Sequence, residues 1–142
     1  MSTLTRRQML ARSTQAVAAL ALTRPLAPLF AAPEQRQFKI GACDWSIGKM
    51  ADPAAMTVAK EIGLDGVQVS PGTAKDNFQL RQAAVQQQYR EAVKATGVQV
   101  ASLALGELND IPYKSDPRTI EWVRDCVEVC GPMGCQVILL AF

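Results

Sequence analysis

Seven side chains with hydrogen-bonding or stacking chemistry follow or interrupt the apolar runs of this chain. Asp44, Trp45 and Ser46 come directly after Phe38 to Cys43, Gln68 and Ser70 lie in and after Val67 to Val69, and Glu107 and Asn109 come after Val98 to Leu103. Asp44 could hydrogen-bond a substrate hydroxyl or order its own loop through an Asx turn. Trp45 could stack on the apolar face of a ring or act as a lid. Glu107 could orient a substrate or be merely solvated. Gln68 points opposite to Val67 and Val69, so if the valines face a helix layer its amide faces the other side and must find a partner there.

Metal and thiol chemistry is poorly provided for. The chain contains no histidine and four cysteines. Cys126 and Cys130 are a turn apart on a predicted helix and Cys135 enters a strand, so the three read as buried small apolar residues rather than a ligand cluster. Cys43 sits at the mouth of the first strand, with nothing in its sequence context to activate it.

Positioning these groups requires strands that end on one rim. Gly63, Gly97 and Gly134 each follow a helical pattern and precede an apolar run, which predicts a helix stop and strand entry three times over. With Phe38 to Cys43 this makes four strands, starting near residues 38, 66, 98 and 135, at the spacing of successive βα units. Helix one is predicted over Pro53 to Ile62 with Asp52 as its cap. Helix two falls within Asn77 to Thr96, with Leu80, Ala84, Val85, Ala92 and Val93 on one stripe and Gln86-Gln87-Gln88 on a solvated face. Helix three is capped by Ser115 or Asp116, starts at Pro117, and carries Ile120, Val123, Val127 and Cys130 at helical spacing. Gly131-Pro132 ends or kinks it. The last run, Cys135 to Phe142, does not alternate, as expected of a strand covered on both faces.

Composition agrees with a globular α/β protein: 142 residues, 49% hydrophobic and 20% charged. A net charge of +2 argues against nucleic acid as a partner. Thr5-Arg6-Arg7-Gln8-Met9-Leu10 resembles a twin-arginine export motif; the apolar run Ala16 to Leu22 and a small-residue end at Ala31-Ala32 complete a signal of three regions. The run is too short to span a bilayer, which takes about 20 apolar residues. Residues 1–32 therefore read as a cleaved leader, with a mature, periplasmic or otherwise exported chain from about Pro33 and no lasting membrane span.

Ile62-Gly63-Leu64-Asp65-Gly66-Val67, after Asp44-Trp45-Ser46 and before Leu139-Leu140-Ala141-Phe142, resembles the N-terminal half of the xylose isomerase-like TIM barrels, the sugar phosphate isomerases and epimerases. The resemblance implies that residues 33–142 are the first four parallel strands and three intervening helices of a partial (β/α)8 barrel, which needs about 250 residues when whole. It implies a sugar or sugar phosphate as the small-molecule partner and proton transfer beside a carbonyl. The loops at the strand C-termini would hold the substrate, through Asp44, Trp45, Ser46, Ser70, Glu107 and Asn109, with Gln68 in the barrel interior. The family's divalent metal (Mn, Mg, Co or Zn) is held by Glu, Asp, His and Glu on later strands, so none is expected here. Two alternatives stay open: a non-catalytic periplasmic carbohydrate-binding barrel and a complete flavodoxin-like domain. The final apolar strand, with no closing turn or helix, reads as the end of an N-terminal part of a longer protein, expected to self-associate across its unpaired edges.

Overall fold

The computed structural model describes residues 37–141. The export leader read over residues 1–32, the expected start of the mature chain at Pro33, and the place of Phe142 in the last strand lie outside the described residues.

Four short strands form one parallel sheet in the order β1-β2-β3-β4: β1 Gly41–Cys43, β2 Gly66–Val69, β3 Gln99–Leu105 and β4 Ile138–Leu140. This sequential order differs from the flavodoxin-like arrangement, in which the first strand lies between the second and third. The connecting helices are α1 Ala55–Ile62, α2 Ala83–Thr96 and α3 Arg118–Met133. Each ends on a glycine in the left-handed conformation, at Gly63, Gly97 and Gly134, as their sequence positions predict.

The three helices pack on one face. A single apolar core joins Met56 of α1, Tyr89 of α2 and Trp122, Cys126, Val129 and Met133 of α3 to Val67, Val69, Val100, Leu103 and Leu105 of the sheet. Val67, Val69, Leu103 and Leu105 are wholly buried, and each such side chain stabilises the fold by about 1.5–3 kcal/mol. Val100 and Leu103 face the same way although three positions apart, because the register shifts between Val67 and Gln68 and leaves Ala101 unmatched as a β-bulge. The bulge returns Ser102 to the face opposite the helices, next to Gln68.

On that opposite face runs a chain of polar contacts across three strands. Cys43 Sγ donates to Gln68 Oε1 at 3.1 Å, and Gln68 Nε2 donates to Ser102 Oγ at 2.9 Å. Gln68 thus points away from the valines, as alternation requires, and finds its partners on its two neighbouring strands.

Several boundaries and faces differ from expectation. β1 begins at Gly41 rather than Phe38, because at Ile40 it is the Asp65 side chain that takes the backbone N–H, at 2.7 Å. The predicted helix over Asn77 to Thr96 is divided: Asn77 and Phe78 have φ of 56° and 48°, Gln79–Arg81 is a 3-10 turn, and α2 starts only at Ala83. Gln86 is not simply solvated, since its Nε2 donates to the Leu80 carbonyl at 2.9 Å and closes this break. Of the stripe assigned to α2, Ala84 is exposed, while Tyr89 supplies the buried contact.

On α3 the buried face is Thr119, Trp122, Cys126, Val129, Cys130 and Met133, and Ile120 and Val127 are exposed. Both stripes have helical period; the one carrying Trp122 wins because it buries the larger area, with the Trp122 ring 5.1 Å from that of Phe78. The Arg81–Asp125 ion pair joins the 3-10 turn to the same helix. Asp116 is the residue that caps α3, its Oδ1 accepting the Arg118 N–H at 3.0 Å. Gly131 and Pro132 do not stop the helix, which closes at Gly134 with Cys135 N–H bonded to Cys130 O at 3.1 Å. β4 is also shorter than expected and covered on one face only: Val137 and Leu139 are 59% and 46% exposed. An apolar run without alternation does not reveal which of its faces has a cover.

Candidate functional site

All four strands deliver their C-terminal ends to the same rim, and there Trp45, Ser70, Glu107 and Asn109 line one cleft of about 460 Å³. Trp45 comes from the turn Asp44–Ile47 that follows β1, Ser70 from the residue after β2, and Glu107 and Asn109 from the turn Gly106–Asn109 that follows β3. Leu139 and Ala141, from the end of β4, add apolar lining to the same cleft. Four of the residues singled out by position are therefore brought together, from three separate loops.

The loop conformations are held by short polar links. After β1, Lys49 N–H bonds Asp44 O at 2.8 Å, and the turn leaves Trp45, which lines the cleft, 43% exposed. After β3, Asn109 Nδ2 donates to Gly106 O at 3.0 Å, and Ile111 N–H bonds Glu107 O at 3.0 Å. After β2, Thr73 N–H bonds Asp76 Oδ1 at 2.8 Å, and Gln79 Nε2 reaches across to Ala51 O at 2.7 Å, tying the second loop to the first.

Asp44 works behind the cleft wall rather than on it. It is completely buried; Oδ2 accepts the Ser70 N–H at 2.8 Å and the Ala51 N–H at 2.9 Å, while Oδ1 has no hydrogen-bond partner. Burial pushes its carboxyl above the ordinary value of 3.8, against the opposing pull of the Ser70, Ala51 and, least, Trp45 backbone N–H groups. The carboxylate thus joins the ends of β1 and β2 across 26 residues of sequence. Of the two roles open to it in the sequence, this is loop ordering, by long-range bonds rather than a local Asx turn. Ser46 is exposed on the same turn outside the cleft lining, and Gln68 sits within the sheet face.

Met50, Gly72, Thr73 and Asp110 also line the cleft and did not stand out by residue type. Asp110 had a usable signal, three positions after Glu107 on a turn, where both carboxylates fall on one side. Gly72 had none beyond its place after a strand.

Cys126, Cys130 and Cys135 are buried free thiols, and burial pushes the Cys126 and Cys135 thiols up to about 12. Among the described residues no three His, Cys, Asp or Glu side chains are grouped so as to hold a metal ion. Among the described residues no helix is long and apolar enough to cross a membrane. No family model matches the chain, and no curated protein matches it.

Proposed function

We propose that this chain is the first half of an exported xylose isomerase-like (β/α)8 barrel whose whole form moves a proton beside the carbonyl of a sugar, and that the described part supplies the sugar-binding wall. The supporting observation is the convergence of Trp45, Ser70, Glu107 and Asn109 on one cleft at the C-terminal ends of parallel strands, the end at which barrels of this type carry their sites. The sequential strand order with helices on one face suits the same reading, since a barrel adds each strand beside its predecessor. A flat exposed indole beside carboxylates is a common arrangement for a sugar, whose ring offers an apolar C–H face and hydroxyl edges.

In this reading Trp45 stacks on the ring, Glu107 and Asp110 accept hydroxyl hydrogens, and the Ser70 and Asn109 side chains fix its orientation. The polar chain from Cys43 through Gln68 to Ser102 belongs to the barrel interior. Calorimetric titration of the chain with free hexoses is expected to detect binding that Trp45→Ala weakens about tenfold, the scale of one lost stacking contact. Because Trp45 is 43% exposed, the variant's unfolding free energy should stay within about 0.5 kcal/mol of the parent's. Equal affinity in the variant would remove Trp45 from the site. Sugar binding by a version extended beyond Phe142 without exchange of the carbonyl-adjacent proton in deuterated water would identify a carbohydrate-binding barrel instead of an isomerase.

Export has its own test. Residues 1–32 fused to a reporter that is active only after transport in the folded state should yield periplasmic signal, and Arg6→Lys with Arg7→Lys should abolish it. Signal that survives the double change would assign another route.

A further inference from the structure

We infer that the wall formed by the β2 and β3 loops accepts an uncharged or amine-bearing polyol and rejects a phosphorylated one. This rests on the sugar-binding reading above and decides which kind of sugar the wall takes.

Charge comes first. Glu107 and Asp110 both line the cleft, and no Lys, Arg or His is among the described residues that line it. Asp44, wholly buried behind Ser70, adds a third carboxyl group. Two like charges within about 7 Å of a phosphate weaken its binding by roughly tenfold or more at an effective dielectric between those of protein surface and water.

The backbone leads to the same conclusion. Phosphate sites without cationic side chains are built from free N–H groups that converge on the anion. In the β2 loop those groups are already committed to the protein's own oxygens. Ser70 N–H bonds Asp44 Oδ2 at 2.8 Å, Gly72 N–H bonds Ser70 Oγ at 3.3 Å, and Thr73 N–H bonds Asp76 Oδ1 at 2.8 Å. The Thr73 hydroxyl donates to Asp76 Oδ2 at 3.0 Å, and Asn109 Nδ2 donates to Gly106 O at 3.0 Å. What this wall presents is mostly acceptors: two carboxylates and the Asn109 amide oxygen. Its complement is a ligand that brings donors, which hydroxyl and ammonium groups do and a phosphate dianion does not.

The test uses the full chain and three probes at matched low ionic strength: glucosamine, glucose and glucose 6-phosphate, followed by Trp45 fluorescence. The only other tryptophan, Trp122, is buried at 7% exposure, and a Trp45→Phe control isolates the signal. Glucosamine is expected to bind at least as tightly as glucose, and glucose 6-phosphate about tenfold more weakly than glucose. Glu107→Gln with Asp110→Asn, at exposed or half-exposed positions, should close that gap to within about twofold, as should raised salt. Phosphate ester binding equal to or tighter than glucose overturns this inference and leaves the sugar reading standing. A gap that survives the double substitution also overturns it, and failure of all three probes to bind overturns both.

Discussion

Replacing Asp44 by alanine is expected to destabilise the fold by about 3–5 kcal/mol, while asparagine at the same position costs only about 1–2. The alanine variant strands two buried N–H groups, those of Ser70 and Ala51, now bonded to Oδ2 at 2.8 and 2.9 Å, and each such loss costs about 1–3 kcal/mol. Set against a total stability of about 5–15 kcal/mol, that is a large share. An asparagine oxygen can accept both N–H groups, and its amide removes a buried charge from the side on which Oδ1 has no partner. Because the folded-state pKa is raised above the ordinary 3.8, the folded chain holds this proton more tightly than the unfolded chain. The stability contributed by protonated Asp44 is therefore fully present below pH 3.8 and is lost as pH rises through the raised folded value. Urea unfolding across that range should show the parent losing stability with rising pH relative to Asp44→Asn. Asp116, whose pKa is lowered by its hydrogen bonds to Arg118, has the opposite dependence but is common to both proteins and cancels in the difference. Parent-like stability in Asp44→Ala would show that the loop ends of β1 and β2 need no such link.

How far these features could be read in advance depends on the range of the interaction behind them. Helix stops at Gly63, Gly97 and Gly134 are local, since one residue past each helix must be left-handed, and all three were legible. The sequential order of the four parallel strands was legible only through the resemblance to a barrel, because the same alternation of helices and strands also suits the flavodoxin-like order. The two stripes of α3 are equally periodic in sequence, and only the partner surface, Phe78 and the sheet, selects the one with Trp122 and Cys126. The break before α2 was illegible for a similar reason: Asn77 and Phe78 hold left-handed backbones where nothing in the apolar pattern requires it. Position after a strand picked out Trp45, Ser70, Glu107 and Asn109, all of which line the cleft. It could not separate them from Asp44, because what removes Asp44 from the wall is a bond to a residue 26 positions away. Nor could it identify Gly72, whose constraint is set by atoms of the loop that folds back over it.

That constraint makes Gly72→Ala the second substitution with a large expected effect, about 3 kcal/mol of lost stability together with loss of the cleft. Gly72 has φ of +101°, a conformation that side chains other than glycine's rarely adopt and that costs about 1–3 kcal/mol when imposed. Space is short as well: a Cβ would lie 2.7 Å from Asp76 Oδ1, 3.1 Å from Gln79 N and 3.3 Å from Phe78 Cα. Asp76 cannot swing aside freely, because its carboxylate holds the Thr73 N–H at 2.8 Å and the Thr73 hydroxyl at 3.0 Å. Moving it would forfeit about 1 kcal/mol per hydrogen bond and loosen the loop in which Gln79 grips Ala51. Since Gly72 and Thr73 both line the cleft, the sugar affinity proposed for it should fall with stability. A double-mutant cycle separates the two sources of cost. Asp76→Ala removes the nearest contact, so Gly72→Ala should cost about 1 kcal/mol less in that background, with the remainder set by φ and by the backbone atoms of Phe78 and Gln79. Additive costs would mean that the side-chain contact carries no strain and the backbone conformation carries all of it. A Gly72→Ala variant within about 0.5 kcal/mol of the parent, the range of an ordinary surface change, would show that the β2 loop can relax away from the conformation that builds this side of the cleft.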